Sequence, residues 1–496
     1  MLRIADPSDP SSLNPLLAHD QDTIGFDLLV VQTLVGLSHE NRVVPLLVTR
    51  VPSRSNGDVS RDGRTIVYHL KHGVRFADGQ VLSSADVAFT FSAIMDSRNP
   101  VQGQDAYRRV ATLLTPDPYT VVVRLKTPWN AAVRELFAQS DFAFGILPAH
   151  AFAGTALQGA QWEEHAFGTG PFRVREWRRG DRLLLQPNPY YSPHPKLAGI
   201  ELRMISDDNA TVVALRAREI DAARVEVVQV PALSNDQPLR LIVTPLNGFD
   251  YLSLQSSAPP TNDPRVRRAI ADALDVPVIE RTARGLFGPA GAFLPPVFAW
   301  HDASLAPLSQ NRRAAAAQLD AAGWRLEHGA RMRNGAPLQV LLAIEPGNAR
   351  LSAIVQRQLA QVGIDVIVKS FPPSAFNGPN GPLRTGAFNL SAQGWIGGAD
   401  PEQSAIFACN QIGENGVNIA RYCNPRFDAF FLDQAITPSE TRRAADFSAM
   451  QRIVYADMPV IPLDYPRYFD AVAPGVTGFA RNMLGYPVDA ERWDVR

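Results

Sequence analysis

The chain has 496 residues, 46% hydrophobic and 20% charged, and its 48 basic against 49 acidic side chains give a formal net charge of −1. At about 100–200 residues per domain, this length predicts roughly two to four domains, with cores large enough to fold without disulfides or metals. The near-zero charge, without any run of about five like charges, excludes a generally nucleic-acid-like surface and a charged tail.

The beginning of the chain carries no recognisable leader. Its first residues, MLRIADPSDP, predict a short strand followed by turn residues, without the charged and apolar regions of an export signal. The longest apolar stretch, about residues 26–37, is shorter than the roughly 20 residues that a spanning helix needs. The sequence therefore predicts a soluble chain that is either cytosolic or trimmed after export.

The first half mixes strands and helices. Period-two alternation predicts a strand over residues 64–71. Ser83, followed three residues later by Asp86, predicts the start of a helix. Further on, the sequence predicts a strand at 119–125, a hairpin at 172–186, a proline-stiffened loop at 188–196, a strand at 200–205, a helix at 209–218 and a crossover segment at 235–245.

The second half shows clearer helix boundaries. Asp263 followed by Pro264 predicts a helix start, and Val266, Ile270 and Leu274 form its buried stripe. Each of the next two helices is predicted to end at a glycine that takes a left-handed conformation. The remaining predicted elements are a strand at 251–254, helices at 311–322 (ended by Gly323), 349–362 (ended by Gly363) and 439–456, and a strand at 364–369.

Two cysteines, Cys409 and Cys423, lie on either side of a polar loop. A disulfide would close a loop of about 15 residues and add about 3 kcal/mol of stability. Spacing alone leaves this pairing and two separate buried thiols equally open.

A search for catalytic and cofactor motifs finds none. There is no phosphate-binding loop and no Gly-x-Ser-x-Gly turn, and His39-Glu40 lacks the second histidine of a zinc protease. Gly168-Thr-Gly170 begins like a dinucleotide fingerprint, but Pro171 would break the required turn. The sequence predicts no catalytic residue, no metal ligand and no cofactor.

Seven segments, in order along the chain, resemble the family-5 extracytoplasmic solute-binding proteins of ABC importers, of the oligopeptide- and dipeptide-binding type. The most specific is DGRTIVYHLKHGVRFADGQVLSSADVAFTF, residues 62–91. The others are 168–191, 214–221, 262–275, 315–324, QGWIGGADPEQS at 393–404 and MPVIPLDY at 458–465. The chain departs from the family pattern at Arg218, where glycine is usual, at Gln255, where asparagine is usual, and at Glu402, where aspartate is usual.

The resemblance implies an α/β, two-lobed periplasmic-binding-protein fold (type II, cluster C) with an extra domain inserted in the first lobe. The ligand would be enclosed between the lobes by hinge closure, which expels water from the site. The implied division is a discontinuous first lobe at 1–42, 168–248 and 470–496, an extra domain at 43–167 and a second lobe at 249–469.

The resemblance also implies where the protein works and with what. An exported, non-enzymatic, monomeric receptor would hand a peptide to the permease subunits of an ABC importer and their ATPases, with no role for nucleic acid. The chain would then be periplasmic or extracytoplasmic with its signal removed, and a lipid anchor on the precursor stays open. In an oxidising compartment, the Cys409–Cys423 disulfide becomes the favoured interpretation.

The resemblance nominates Asp400 and Trp395 as ligand-binding residues. In peptide-binding relatives an acidic residue in this segment pairs with the peptide's α-ammonium, and the nearby tryptophan lines the pocket. A buried ammonium needs a fixed carboxylate, since an unpaired buried charge costs several kcal/mol. The alternatives are that Asp400, before Pro401, caps a turn, and that Trp395 is core packing.

The other candidate lining residues are His19 and Asp20 from the first lobe, Asn247, Phe249 and Tyr251 near the crossing strand, and Arg384 for a ligand carboxylate. Competing functions are a receptor for another solute, such as a nickel chelate, an opine, an oligosaccharide or an antibiotic, and a peptide-processing hydrolase.

Overall fold

The computed structural model describes residues 1–18, 20–152, 157, 162, 166–234, 239–285, 287–413 and 416–496. The chain divides into two compact units. Unit 1 comprises Met1–Leu246, Gly398–Asp400 and Arg467–Arg496, and unit 2 comprises Asn247–Gly397 and Pro401–Pro466. Residues 43–167 thus lie in unit 1; that they form a separate domain stays a prediction.

Unit 1 contains a seven-stranded mixed sheet. Its strands run, in spatial order, Arg240–Pro245, Arg467–Val472, Ala222–Arg224, Leu2–Asp6, Ile200–Met204, Arg182–Pro187 and Phe172–Arg178. The first strand of the chain is parallel to both its neighbours, and the predicted hairpin at 172–186 is confirmed as an antiparallel pair. The last part of the predicted crossover at 235–245 is instead an edge strand, and residues 235–238 lie outside the described residues.

A smaller antiparallel sheet in unit 1 consists, in spatial order, of Thr65–His69, Thr120–Leu125 and Val110–Asp117. Alternate side chains of its first two strands are buried, among them Ile66, Tyr68, Val121 and Val123, as the alternating sequence requires. The helix Ser84–Met95 begins as predicted, with a capping box between Ser83 and Asp86.

Unit 2 is built on a six-stranded mixed sheet. In spatial order its strands are Gly288–Pro289, Val460–Tyr465, Gly248–Leu254, Leu390–Ile396, Gln339–Ile344 and Asp365–Ser370. The sheet contributes side chains to two cores. Leu252, Leu254 and Leu390 pack in one core with the helices, and Phe249 and Tyr251 pack in the other with Phe407. A three-stranded ribbon, Arg325–Glu327, Ala330–Arg333 and Ala336–Pro337, accompanies the sheet.

The α-helices of both units are mostly short. In unit 1 they span Gln21–Val30, Ser84–Met95, Asp105–Arg108, Ala132–Glu135, Asp208–Arg216 and Val230–Ser234. In unit 2 they span Pro264–Ala273, Val276–Ile279, Arg312–Ala321, Ala349–Ala360, Pro373–Asn377, Pro382–Thr385, Pro425–Ile436 and Glu440–Asp457. None of the helices in the described part of the chain is both long and apolar enough to cross a lipid bilayer.

The predicted helix boundaries in unit 2 are confirmed. Asp263 accepts a hydrogen bond from the backbone N–H of Arg265, and Pro264 occupies the first turn. Gly323 and Gly363 have φ of +84° and +82°, the left-handed conformation expected after a helix. Arg218 takes a left-handed φ of +58°, which explains why glycine is the favoured residue at this position in the family that the segment resembles.

A disulfide joins Cys409 and Cys423, as the resemblance implied. Asn418 stabilises the loop that the disulfide closes. Its buried side chain donates hydrogen bonds to the carbonyl oxygens of Ala408 and Tyr422. The pairing excludes the alternative of two separate thiols.

Candidate functional site

Asp400, the predicted partner of a ligand ammonium, is already paired with a cation within unit 1. Oδ2 of Asp400 accepts a hydrogen bond of 3.0 Å from Nη1 of Arg134, and the two residues are 266 positions apart. The side chain of Asp400 is 1% exposed, whereas that of Arg134 is 36% exposed. The arginine therefore holds the buried carboxylate and offers part of its own surface to solvent.

The backbone at residue 398 lies close to Glu135 and Ser140, and glycine leaves room for this approach. A Cβ at Gly398 would lie 3.0 Å from Ser140 Oγ and 3.1 Å from Glu135 Oε1, which is tighter than ordinary packing. Ser140 in turn donates a hydrogen bond to Glu135. The segment Gly398–Asp400 thus contacts Arg134 through Asp400 and lies close to Glu135 at Gly398.

Tyr486 holds the backbone at Ser140 and Asp141. Its hydroxyl donates to the carbonyl oxygens of Ser140 and Asp141 at 3.0 and 3.1 Å. Burial, with the nearby negative charge of Asp141, raises the pKa of Tyr486 well above its usual value. The phenol therefore stays protonated and keeps both hydrogen bonds over the whole physiological pH range.

Asp20, the other acidic candidate in unit 1, organises the start of a helix. Its carboxylate accepts from the backbone N–H and the hydroxyl of Thr23, each at 2.8 Å, and from the hydroxyl of Ser11 at 2.9 Å. It is the N-cap of the helix Gln21–Val30. His19 lies outside the described residues.

The aromatic candidates of unit 2 lie on adjacent strands. Phe249 pairs with Trp395 in the register of the sheet, and the Phe249 and Tyr251 rings stack with centroids 4.7 Å apart. Phe249 and Tyr251 are buried in the core, and burial raises the pKa of Tyr251 above its ordinary value. Trp395 is only partly buried, and its Nε1 atom has no hydrogen-bond partner among the residues that the structure describes.

Asn247, which opens unit 2, is fully buried, and its carbonyl oxygen accepts from the backbone N–H of Gly397 at 2.8 Å. This bond continues the pairing of the strands Gly248–Leu254 and Leu390–Ile396 by one step. It thereby fixes the backbone that leads into Gly398–Asp400.

Arg384, the predicted carboxylate partner, is exposed on the short helix Pro382–Thr385. Its Nη1 donates to the carbonyl oxygen of Gly416 at 2.8 Å, and its own carbonyl oxygen accepts from Nη2 of Arg421 at 2.8 Å. Both partners belong to the loop that the Cys409–Cys423 disulfide closes. Arg384 is thus tied to that loop.

The structure adds one residue that the sequence did not nominate, Arg134. It lies on the four-residue helix Ala132–Glu135, inside a stretch that carries no element strong enough to predict from its pattern. Its partner segment, Gly398–Asp400, belongs to unit 1, while the neighbours of that segment on both sides belong to unit 2. Metal ligands do not gather here: within the described ranges no group of three or more His, Cys, Asp or Glu side chains could hold a metal ion.

The family model for bacterial extracellular solute-binding proteins, family 5 (middle), matches residues 42–414. Among curated proteins, a glutathione-binding protein, GsiB, of Shigella boydii is 26% identical over 490 residues, which cover 96% of this chain and 91% of the relative.

Solved structures share the fold over the entire chain. The oligopeptide-binding protein AppA from Bacillus subtilis, in complex with a nonapeptide, has a TM-score of 0.78 at 21% identity, with 100% of this chain and 98% of AppA covered. NikA from Brucella suis, in complex with Fe(III)-EDTA, has a TM-score of 0.86 at 22% identity, with 100% and 99% covered.

Proposed function

The chain belongs to the bacterial extracellular solute-binding proteins of family 5, and from that premise we propose that it is the peptide-binding receptor of an ABC importer. It captures a short peptide and delivers it to the permease subunits and their ATPases. The family match over residues 42–414, together with a relative named for binding the tripeptide glutathione, is the observation that carries the proposal.

We assign the ligand's α-ammonium to Asp400. The carboxylate is 1% exposed in this structure and is held in place by Arg134, so a ligand ammonium that reached it on binding would meet a fixed, desolvated acceptor. Trp395, which is partly buried, is proposed as an apolar wall of the binding site. The remaining proposed contacts are His19, Asp20, Asn247, Phe249, Tyr251 and Arg384.

The burial of each side chain decides whether a ligand can contact it directly or is affected by it through a neighbouring residue. Asp20 and Arg384 have side chains that reach solvent, so a ligand can touch them directly. Phe249 and Tyr251 lie in the core of unit 2, so their part would be to support Trp395 on the neighbouring strand. Asn247 would act through its backbone, which positions the segment leading to Asp400.

The wider assignment follows the family. We propose a periplasmic or extracytoplasmic monomer without enzymatic activity, with lobes at 1–42, 168–248 and 470–496 and at 249–469, and an extra domain at 43–167. The Cys409–Cys423 disulfide suits an oxidising compartment outside the cytosol.

A chelated metal is the second candidate ligand, because NikA, which shares the fold, is described in complex with Fe(III)-EDTA. Such a ligand presents several carboxylates, for which the partly exposed side chain of Arg134 offers a positive charge.

Mass spectrometry under native conditions separates the candidates. The protein is mixed with an equimolar set of free-amine dipeptides, tripeptides, nickel–histidine and an oligosaccharide. We expect a one-to-one adduct with intact peptide. Adducts of the chelate or sugar alone, or release of shortened peptides, would overturn the proposal.

A further inference from the structure

A cavity of about 550 Å³ lies in unit 1. It is bounded by the start of the strand Arg240–Pro245, by residues 478–480, by Asp489 and Arg492 near the end of the chain, and by His39. Small-molecule sites in proteins usually have volumes of about 300–1,000 Å³, so this cavity is large enough for an organic ligand. None of its lining residues is among the proposed peptide contacts. We call it the Arg240 cavity.

Part of the wall of the Arg240 cavity is apolar and fixed by aromatic packing. Leu241 and Ile242 lie on the outermost strand of the seven-stranded sheet and are only partly buried. Phe479 is 6% exposed, and its ring packs on that of Trp493 with centroids 4.7 Å apart. The apolar surface of a ligand would therefore meet side chains that are already held in place.

A glycine brings Phe479 next to Arg492. Gly478 has a φ of +78°, and a Cβ at this position would lie 2.6 Å from the carbonyl oxygen of Arg492. A residue with a side chain would strain the left-handed conformation and would displace the neighbouring backbone. The turn at Gly478 therefore sets an apolar ring beside one of the two arginines of the cavity.

The positive charge of Arg240 is available to a ligand. Its side chain is exposed, and Nη2 donates a hydrogen bond of 3.1 Å to the carbonyl oxygen of Val476, which is a neutral group. No carboxylate in the described part of the chain pairs with Arg240. Because a guanidinium has five N–H donors in a planar fork, donors for a carboxylate remain after the bond to Val476 is made.

The other charged groups of the cavity have partners of their own. Nδ1 of His39 lies 2.9 Å from Oδ2 of Asp489. Nε of Arg492, whose side chain is 68% exposed, lies 3.4 Å from Oε1 of Glu491. Arg240 is therefore the cation of the cavity that a ligand carboxylate can neutralise best, and Arg492 contributes a charge that it shares with Glu491.

We infer that the Arg240 cavity binds a small amphipathic monocarboxylate, whose carboxylate pairs with Arg240 and whose apolar body lies against Ile242 and Phe479. Hydrogen bonds between a guanidinium and a carboxylate are charge-assisted and stronger than those between neutral groups. An amine in the same place would be repelled by Arg240, and a second carboxylate on the ligand would be repelled by Asp489. This site goes beyond the proposed function, because its residues differ from the proposed peptide contacts.

Three compounds that share a phenylalkyl body test the inference: 4-phenylbutyrate, its neutral amide 4-phenylbutyramide, and 4-phenylbutylamine. Calorimetric titration of the wild-type protein at neutral pH should show saturable binding of 4-phenylbutyrate with a Kd below about 1 mM. The amide should bind roughly tenfold more weakly, because it forms no charge-assisted hydrogen bonds, and the amine should not bind measurably. Absence of saturable binding by the carboxylate, or equal affinities of carboxylate and amide, would overturn the inference.

Substitutions assign the preference for a carboxylate to Arg240. Arg240→Gln keeps an amide donor for the Val476 carbonyl oxygen and should weaken the binding of 4-phenylbutyrate roughly tenfold, to the level of the amide. Arg240→Lys keeps the charge without the planar fork and should retain part of the preference. Arg98→Gln, at a side chain of unit 1 that is 87% exposed, is the matched control and should leave the Kd unchanged. Wild-type affinity in Arg240→Gln would contradict the assignment.

A second variant should change the affinity in the opposite direction and keeps the test decisive if Arg240→Gln does not fold. Asp489→Asn removes the negative charge of the lining, and asparagine tolerates the φ of +55° at this position and can keep the hydrogen bond to His39. 4-Phenylbutyrate should therefore bind about two- to fivefold more tightly, whereas the affinity of the neutral amide should not change. Unchanged or weaker binding of 4-phenylbutyrate would show that its carboxylate does not lie in this cavity and would overturn the inference.

Discussion

Arg134 and Asp400 form a hydrogen-bonded ion pair of 3.0 Å, although 266 positions separate them in the chain. The carboxylate of Asp400 is buried, whereas the side chain of Arg134 is partly exposed. Breaking a buried pair by removing one partner is costly, so each residue helps to hold the other in position.

Asp400→Asn should weaken the binding of free-amine tripeptides at least tenfold, which corresponds to about 1.4 kcal/mol. The substitution removes the charge that the ligand ammonium requires and keeps the shape of the side chain. N-acetylated forms of the same peptides should bind with nearly unchanged affinity, because they bring no charge. Calorimetric titration of both peptide sets measures the effect.

The matched control is Asp105→Asn, at a side chain of the same unit that is 96% exposed. It should alter neither affinity. Equal losses for free and acetylated peptides with Asp400→Asn, or no loss for either, would refute the role of Asp400.

Removing the disulfide should destabilise unit 2. The double substitution Cys409→Ser and Cys423→Ser opens a loop of 14 residues' separation, and loop-closure entropy predicts a free energy of unfolding lower by about 3 kcal/mol. Urea titration followed by tryptophan fluorescence measures the change, and reduced wild-type protein should match the variant. An unchanged midpoint in both would show that other contacts, such as those of Asn418, hold the loop.

Asp6 should make stability depend on pH. Burial, followed by the charge of Asp22, raises the pKa of Asp6 from 3.8 to about 7, against the opposing effects of the nearby Arg224 and Arg481. The folded state therefore holds this proton more tightly than the unfolded state does. The stabilisation is complete below about pH 4 and is lost as the pH rises through about 7.

At about 1.4 kcal/mol per pKa unit, the loss is at most roughly 4 kcal/mol. Asp6→Asn, which can still accept the hydrogen bond from the Ser8 backbone, should remove this slope, whereas Asp105→Asn should keep it. Urea unfolding at pH 5 and pH 8 compares the three proteins. Parallel slopes for wild type and Asp6→Asn would contradict the assignment.

Arg218→Gly should stabilise the protein by about 0.5–1 kcal/mol. Residue 218 has a φ of +58°, which strains a side chain with a Cβ and suits glycine. Arg216→Gly, two residues earlier in the last turn of the helix Asp208–Arg216, should instead lower stability by a similar amount. Thermal melting of the two variants gives the signs directly; a loss of stability with Arg218→Gly would contradict the strain argument.

Local patterns predicted the parts of the fold that depend on neighbouring residues. Ser83 with Asp86, Asp263 with Pro264, and Gly363 each mark a helix boundary through contacts within about four residues, so the sequence alone specifies them. The disulfide required the family resemblance, because spacing did not decide between pairing and separate thiols.

The partner of Asp400 could not be predicted in this way. Arg134 lies on a helix of four residues, too short for a periodic pattern, and is 266 positions away from Asp400 in the chain. The sequence likewise nominated Phe249 and Tyr251 as lining residues by their position near a crossing strand. Their burial depends on the packing of Phe293 and Phe407 against that strand, which is a tertiary contact.

Titration of the purified wild-type protein with a free-amine tripeptide, followed by recovery of the peptide and its mass measurement, tests the central claim most directly. We predict saturable binding of one peptide per chain and recovery of the peptide intact. Absence of binding by any free-amine peptide while a metal chelate or an oligosaccharide binds, or recovery of the peptide in fragments, would contradict the assignment of this chain as a peptide receptor.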